Sequence, residues 1–192
     1  MTGAAVALVL GAAGAACRSA GAALFPGVPY RELTREELRP PAPFTGGLFD
    51  VLAALPGGSV AGLVVPGWAA PAAEGPRPGE LIAVADHVNL EGRGPLTGRW
   101  PEGVPRDFPS MTGVYQPSLV RPFGGARVYS SGVVAAGVAD ARRLTRFEVR
   151  ALRQGGWPIV SDSLVPAAVV AAYYGVKLAV CGVVQAPLSE RE

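Results

Sequence analysis

The sequence predicts an α/β fold, a single domain spanning 1–192 in which a central β-sheet is flanked by helices. Three observations predict it. Short apolar runs such as Ala5–Leu10, Leu81–Val84 and Leu178–Val184 alternate with longer helix-patterned stretches, as strands buried on both faces of a helix-covered sheet require. Gly (26) and Pro (19) are abundant but follow no period, so they punctuate short elements and do not signal a fibrous or low-complexity chain. Apolar residues make up 49% and charged residues 17%, enough at this length to bury a substantial core.

The elements follow in order. Ala5–Leu10 reads as a buried strand, and Gly11-Ala12-Ala13-Gly14 turns into a small-residue helix reaching about Leu24. Gly11 and Gly14 fit the start of a phosphate cradle, but Cys17 stands where a dinucleotide pattern needs its third glycine, so close packing of small residues is the reading. Pro26 to Pro43 is a proline-bounded connector with a charged middle, expected as solvated loop with a helical turn. Leu48–Leu55, the turn Pro56-Gly57-Gly58 and Val60–Val65 read as a paired-strand hairpin, and Gly67 to Pro78 as loop.

Leu81–Val84 is a further strand, followed by the polar residues Asp86, His87 and Asn89 and a Gly/Pro-rich turn. Polar groups at a strand end usually hydrogen-bond the loop that follows, because leaving them buried and unpaired is costly. His87 is the only histidine, so the trio is either a site, in which His87 is open to a general-base role, or the brace that holds a loop beside one. Arg99 to Pro122 is long and irregular, and such segments inside compact domains tend to be functional or engaged with a neighbour. Ala126 to Val138 is expected as a strand-pair region. Ala141 to Gln154 is expected as an amphipathic helix with Leu144, Phe147 and Ala151 on one side, ended by Gly155-Gly156. Pro158-Ile159-Val160 is a strand with Asp162 and Ser163 at its carboxyl end, where Asp162 is positioned to cap the helix Val165–Tyr174. Leu178–Val184 closes the sheet. Ligands of such folds bind at the carboxyl ends of strands, so the loops after Leu10, Val65, Val84, Val138, Val160 and Val184 are the candidate site.

Several function classes are excluded as expectations. A formal charge of +2 without a Lys/Arg cluster interleaved with aromatics predicts no nucleic-acid partner. Cys17 and Cys181 have no metal-ligand spacing and there is one histidine, so no metal site is expected, and reduced thiols fit a cytoplasmic protein. Ala4–Ala16 is apolar, but Met1-Thr2-Gly3 carries no basic residue and Gly11 and Gly14 interrupt the run, unlike a secretion signal. No window supplies the roughly 18 apolar residues of a membrane-spanning helix.

The motif Asp86-His87-Val88-Asn89-Leu90-x-Gly92-x-Gly94-Pro95-Leu96-Thr97-Gly98, with Phe108-Pro109-Ser110-Met111 and Tyr115, resembles the trimeric purine nucleoside phosphorylases, a group that includes the methylthioadenosine phosphorylases. Glu148-Val149-Arg150-Ala151-Leu152-Arg153-x-x-Gly156 and Ser163-Leu164-Val165-Pro166-x-x-Val169-Val170-Ala171 match the family's second signature. The resemblance implies a mixed central sheet, a homotrimer, and pentosyl transfer from a purine nucleoside to phosphate. It also implies that this chain is a shortened and degenerate member. The family's phosphate serine falls on Ala12, and its phosphate arginine and histidine fall on Trp68 and Ala70, while Ser163 keeps the late serine. The Phe-Glu pair of the base site becomes Arg143 and Leu144, the asparagine becomes Ala186 with Gln185 beside it, and the sugar methionine becomes Asp162. Phe108 keeps the phenylalanine that a neighbouring subunit lends.

A helix-strand unit with an Ala-Ala-Gly-Gly turn and the C-terminal helices have no counterpart in the sequence. The candidate ligand pocket is therefore Phe108, Arg143, Asp162, Ser163 and Gln185, beside the structural motif Asp86, His87 and Asn89. The expected function is that of a non-catalytic binding or assembly protein. It takes no cofactor, phosphate has few of its usual ligands, and a small nucleoside-like or sugar-phosphate ligand fits the pocket. The alternative is an active phosphorylase, or a nucleosidase that uses water, with rearranged site residues. A dinucleotide-binding domain built on Gly11 and Gly14 is disfavoured by the missing third glycine.

Overall fold

A computed structural model describes residues 7–10, 14–28, 30–34, 37, 44, 46–69, 75–92, 94–98, 100–121 and 127–188. The strands are β1 (Ala7–Leu10), β2 (Tyr30–Leu33), β3 (Val60–Ala69), β4 (Leu81–Asn89), β5 (Val128–Gly137), β6 (Ile159–Ser161) and β7 (Lys177–Pro187). The helices are α1 (Gly14–Leu24), α2 (Gly47–Ala53), α3 (Arg146–Gln154) and α4 (Leu164–Tyr173), with a short 3-10 turn at Pro117–Leu119.

The sheet is mixed and curls back on itself. β2, β1, β3 and β7 run parallel, β7 meets β4 antiparallel, and β4, β5 and β6 are again parallel. β6 then returns to β3, pairing Val160 with Trp68 and Ile159 with Ala69 in antiparallel sense. β3, β7, β4, β5 and β6 thus form a closed ring, with β1 and β2 extending it beside β3. The register of β3 on β7 shifts between Gly67 and Trp68, which bends β3 where it changes neighbours. Ile159, fully buried, fills the space against Gly67 and Gly182, where a side chain at either glycine would overlap it.

α1 lies against β1, β3 and β7, while α2 packs on α4 and α4 on β7. The main core gathers Leu48, Phe49 and Leu52 of α2, Leu63 to Val65 of β3, Leu81 to Val84 of β4 and most of α4 and β7. α4 is apolar nearly all round, as a helix enclosed by sheet and neighbour must be. Its Pro166 lies in the first turn, where no intrahelical donor is lost, and Gly175 ends it at φ 66°. A second, smaller cluster comprises Ala136, Val138, Ala141, Val149, Leu152, Val160 and Leu188, with Trp68, Leu144 and Trp157 packed against it.

Several expectations are corrected. Leu48–Leu55 is no strand of a hairpin: α2 forms there, because Leu48, Phe49 and Leu52 recur at helical spacing and are buried together. The expected strand pair over Ala126–Val138 is instead one strand, β5, from Val128 to Gly137, held between parallel neighbours and not folded on itself, while Ala126 lies outside the described residues. The connector after Pro26 holds strand β2, paired in register with β1. β3 runs on to Ala69 and β4 to Asn89, so Asp86, His87 and Asn89 lie within a strand, not beyond its end. α3 starts at Arg146 and not at Ala141, because Thr145 and Glu148 make a reciprocal capping box, an arrangement that satisfies two otherwise unpaired helix-start donors. Its buried face is Val149 and Leu152, whereas Phe147 is 77% exposed. The Gly11–Ala13 turn and Ala70 lie outside the described residues.

Candidate functional site

The three parallel strands β4, β5 and β6 finish level with one another. Asn89 pairs with Gly137 and Gly137 with Ser161. Just beyond, the Leu90 amide donates to the Gly137 carbonyl at 2.9 Å and the Val138 amide to the Ser161 carbonyl at 3.0 Å. This shared rim carries two features side by side, a buried polar pair after β6 and an apolar groove after β4 and β5.

The polar pair is Asp162 and Ser163, which are 3% and 1% exposed. The Ser163 hydroxyl donates to Asp162 Oδ1 at 2.9 Å, and its amide donates to Ser161 Oγ at 3.3 Å. The helix cap is Ser163, without a side-chain bond to the helix, and not Asp162 as the sequence reading expects. The pair follows directly on β6, which runs antiparallel to the end of β3 at Trp68 and Ala69.

The groove has a volume of about 580 Å³ and is lined chiefly by Leu90, Val138, Leu144, Ala151, Leu152 and Trp157, with Asp140, Arg143 and Glu148 at its rim. Asp140 is held by both neighbouring arginines, 3.7 Å from Arg142 Nε and 3.6 Å from Arg143 Nε. Glu148 is occupied by the capping box, and the Thr145 amide donating to it keeps its carboxyl below the ordinary range.

Of the five proposed pocket residues, Arg143 lines this groove and Asp162 and Ser163 form the buried pair behind the same rim. Gln185 turns elsewhere, its amide donating to the Val183 carbonyl at 3.2 Å and touching the Cys17 sulfur of α1 at 3.9 Å. Phe108 stands 84% exposed on the long loop. The apolar groove lining was not legible from the sequence. The signal that marks it is Thr145-x-x-Glu148, which sets the helix start and so turns Leu144 and Ala151 to the groove.

His87 Nδ1 lies 2.6 Å from the Tyr115 hydroxyl, their rings in a T-shaped contact. Asp86 accepts from the His87 amide at 2.8 Å and Asn89 from the Glu91 amide at 2.9 Å. Tyr115 in turn bridges to Leu178 of β7, flanked by backbone bonds of 2.7 Å on either side. The trio therefore joins β4 to the long loop and, through it, to β7. Burial pushes the His87 imidazole below its ordinary 6.5, and the Asp86 carboxylate opposes that shift. The neutral ring is the folded form, so unfolding takes up a proton between the two values and stability falls as pH drops below about 6.5. Urea midpoints measured from pH 7.5 to 5 should decline for the native chain and decline less for His87→Gln.

Among the described residues no group of three or more His, Cys, Asp or Glu side chains gathers in a way that could hold a metal ion. Cys17 and Cys181 are free buried thiols, both pushed up to about 12 by burial. No helix among the described residues is long and apolar enough to cross a membrane.

No family model and no curated protein matches the chain. Solved structures do. Purine nucleoside phosphorylase of Schistosoma mansoni, complexed with a monocyclic inhibitor, matches with a TM-score of 0.53 at 17% identity, covering 68% of this chain and 53% of that one. The same enzyme with BCX-34 matches at 0.53 and 17%, covering 70% and 53%. A purine nucleoside phosphorylase in complex with ribose-1-phosphate also matches at 0.53 and 17%, covering 68% and 51%. The fold is thus that of the purine nucleoside phosphorylases, and the chain spans about half the length of the solved structures that it matches.

Proposed function

We propose that this protein is a phosphorylase-like binding or assembly protein that does not carry out phosphorolysis. The observation that carries the reading is the fate of two positions. Trp68 and Leu144, where the resemblance puts a phosphate arginine and a base-binding glutamate, both pack against one apolar cluster with Val138, Leu152 and Trp157. A phosphate dianion needs cations and several donors, and transferring it into an apolar surface without them is prohibitive. Ser163, the one family phosphate group retained, spends its hydroxyl on Asp162.

The test is a coupled assay for purine release from inosine, adenosine and methylthioadenosine, with and without phosphate. Release indistinguishable from the protein-free rate is expected. Phosphate-dependent turnover overturns the reading. Turnover that ignores phosphate supports the alternative, a nucleosidase, for which the buried Asp162 beside the rim is the candidate sugar ligand.

We also propose a homotrimer. Phe108, 84% exposed, matches the residue a neighbouring subunit lends, and an aromatic side chain so exposed is commonly covered by a partner. Light scattering should give three times the chain mass, and Phe108→Ser should lower it.

A further inference from the structure

We infer that the pocket at the end of α1 is a binding site for a small apolar molecule carrying one carboxylate, of the medium-chain fatty acid class. Its volume is about 360 Å³, within the roughly 300–1,000 Å³ of small-molecule sites. Its floor is Gly62 of β3 and Ala179 of β7, which pair in register and so set two of the smallest residues side by side. Leu24, Phe25 and Val28, at the end of α1 and just beyond it, form one wall, and Leu119 of the 3-10 turn forms the other. The Phe25 ring lies over Gly62, where a Cβ would overlap it. Packed protein leaves few voids larger than a water molecule, so a hollow of this size between helix end, sheet and turn is a place for a ligand.

Charge selects the class of ligand. Among the described residues Arg121 is the one charged member of the lining, and no acid accompanies it. Arg121 is exposed and has no anionic partner among the described residues. Lys177 adds a second cation from the sheet. It pairs with Val60, itself part of the lining, and stands two residues before Ala179, so strand alternation puts its side chain on the same face. It too is exposed without an anionic partner among the described residues.

A planar carboxylate matches one guanidinium fork, and an alkyl chain matches the remaining surface. A nucleoside does not fit, because apart from Arg121 no described lining side chain can replace the hydrogen bonds it would give up.

The probes are straight-chain carboxylates from hexanoate to dodecanoate, titrated calorimetrically into the full-length chain below their micelle concentrations. One site per chain is expected, with affinity rising about fourfold for each added methylene until the hollow is full. Decanol and decylamine should bind about tenfold more weakly than decanoate. Arg121→Gln should weaken decanoate about tenfold and leave decanol unchanged, and Lys177→Gln should weaken it about twofold. Both positions are exposed, and circular dichroism melts check that the variants fold. Leu119→Trp, which fills the hollow from the turn side, should weaken decanoate and decanol alike. The inference is overturned if no chain length binds at a single site, if decanol matches decanoate, or if binding ignores Arg121→Gln or Leu119→Trp. It is equally overturned if decyl phosphate binds more tightly than decanoate, or if the chain adheres to anionic vesicles and decanoate does not release it. The pocket shares no lining residue with the groove beside α3, so failure here is separate from failure of the proposed function.

Discussion

Replacing Gly137 with alanine should lower the unfolding free energy by about 3 kcal/mol, at the upper end of what overpacking costs. Gly137 is the last residue of β5, level with Asn89 on one side and Ser161 on the other. A Cβ placed there would overlap Val165 Cγ2 and lie 3.3 Å from Val165 Cβ, with the Val88 carbonyl 3.5 Å away. Val165 is fully buried near the start of α4, and a helical valine has essentially one side-chain rotamer. Relief must therefore come from moving α4 off the sheet or β5 out of register. Either motion disturbs the rim that carries Asp162 and the groove. Urea unfolding monitored by circular dichroism measures the loss. Adding Val165→Ala removes the obstructing methyl groups, so the double variant should be more stable than the two separate losses sum to.

Truncating Phe49 to alanine should cost about 4 kcal/mol. Phe49 is 2% exposed, with its ring centroid 5.1 Å from Phe44 and 6.5 Å from Tyr174. Phe44 also meets Trp100 at 4.9 Å and Tyr173 at 5.1 Å. One aromatic group thus fastens α2 and the start of the long loop to the end of α4. α2 has seven residues, too few to persist on its own, so its order depends on this packing. Loss of the ring should release α2 and loosen Trp100, seen as a lower urea midpoint and altered tryptophan fluorescence. Phe49→Leu, which retains most of the buried volume, should cost clearly less. Against a typical domain stability of about 5–15 kcal/mol, either loss is large.

Much of the fold was legible because buried strands announce themselves. Leu81–Val84 and Leu178–Val184 are apolar throughout, and both are strands of the ring. Gly175, at φ 66°, ends its helix as glycine patterning predicts. What escaped was set by partners remote in sequence. Leu48-Phe49-Asp50-Val51-Leu52 suits a strand or a helix locally, and only contact with α4 decides for the helix. Tyr30-Arg31-Glu32-Leu33 is strand by virtue of β1 beside it, not through its own polar composition.

At the site, Asp162 and Ser163 were visible as polar residues after a strand, but their mutual hydrogen bond depends on how the chain turns between β6 and α4. The groove was hidden because Leu144, Phe147 and Ala151 look like a core stripe. Thr145 starts the helix so that Val149 and Leu152 face inward instead.

The closed ring has a further consequence for how this protein behaves at high concentration. Every described strand except β2 has a paired strand on either side along at least part of its length, so none of the others is an edge strand open to strand addition along its whole length. Among the described strands the edge is β2, four residues long, where Arg31 and Glu32 are exposed and Arg31 pairs with Glu37 at 3.4 Å. Short length and charge are the devices that keep sheet margins from templating aggregates. In a chain so rich in valine and alanine, this topology leaves one short edge strand among those described, and its two ionic side chains disfavour the addition of another strand.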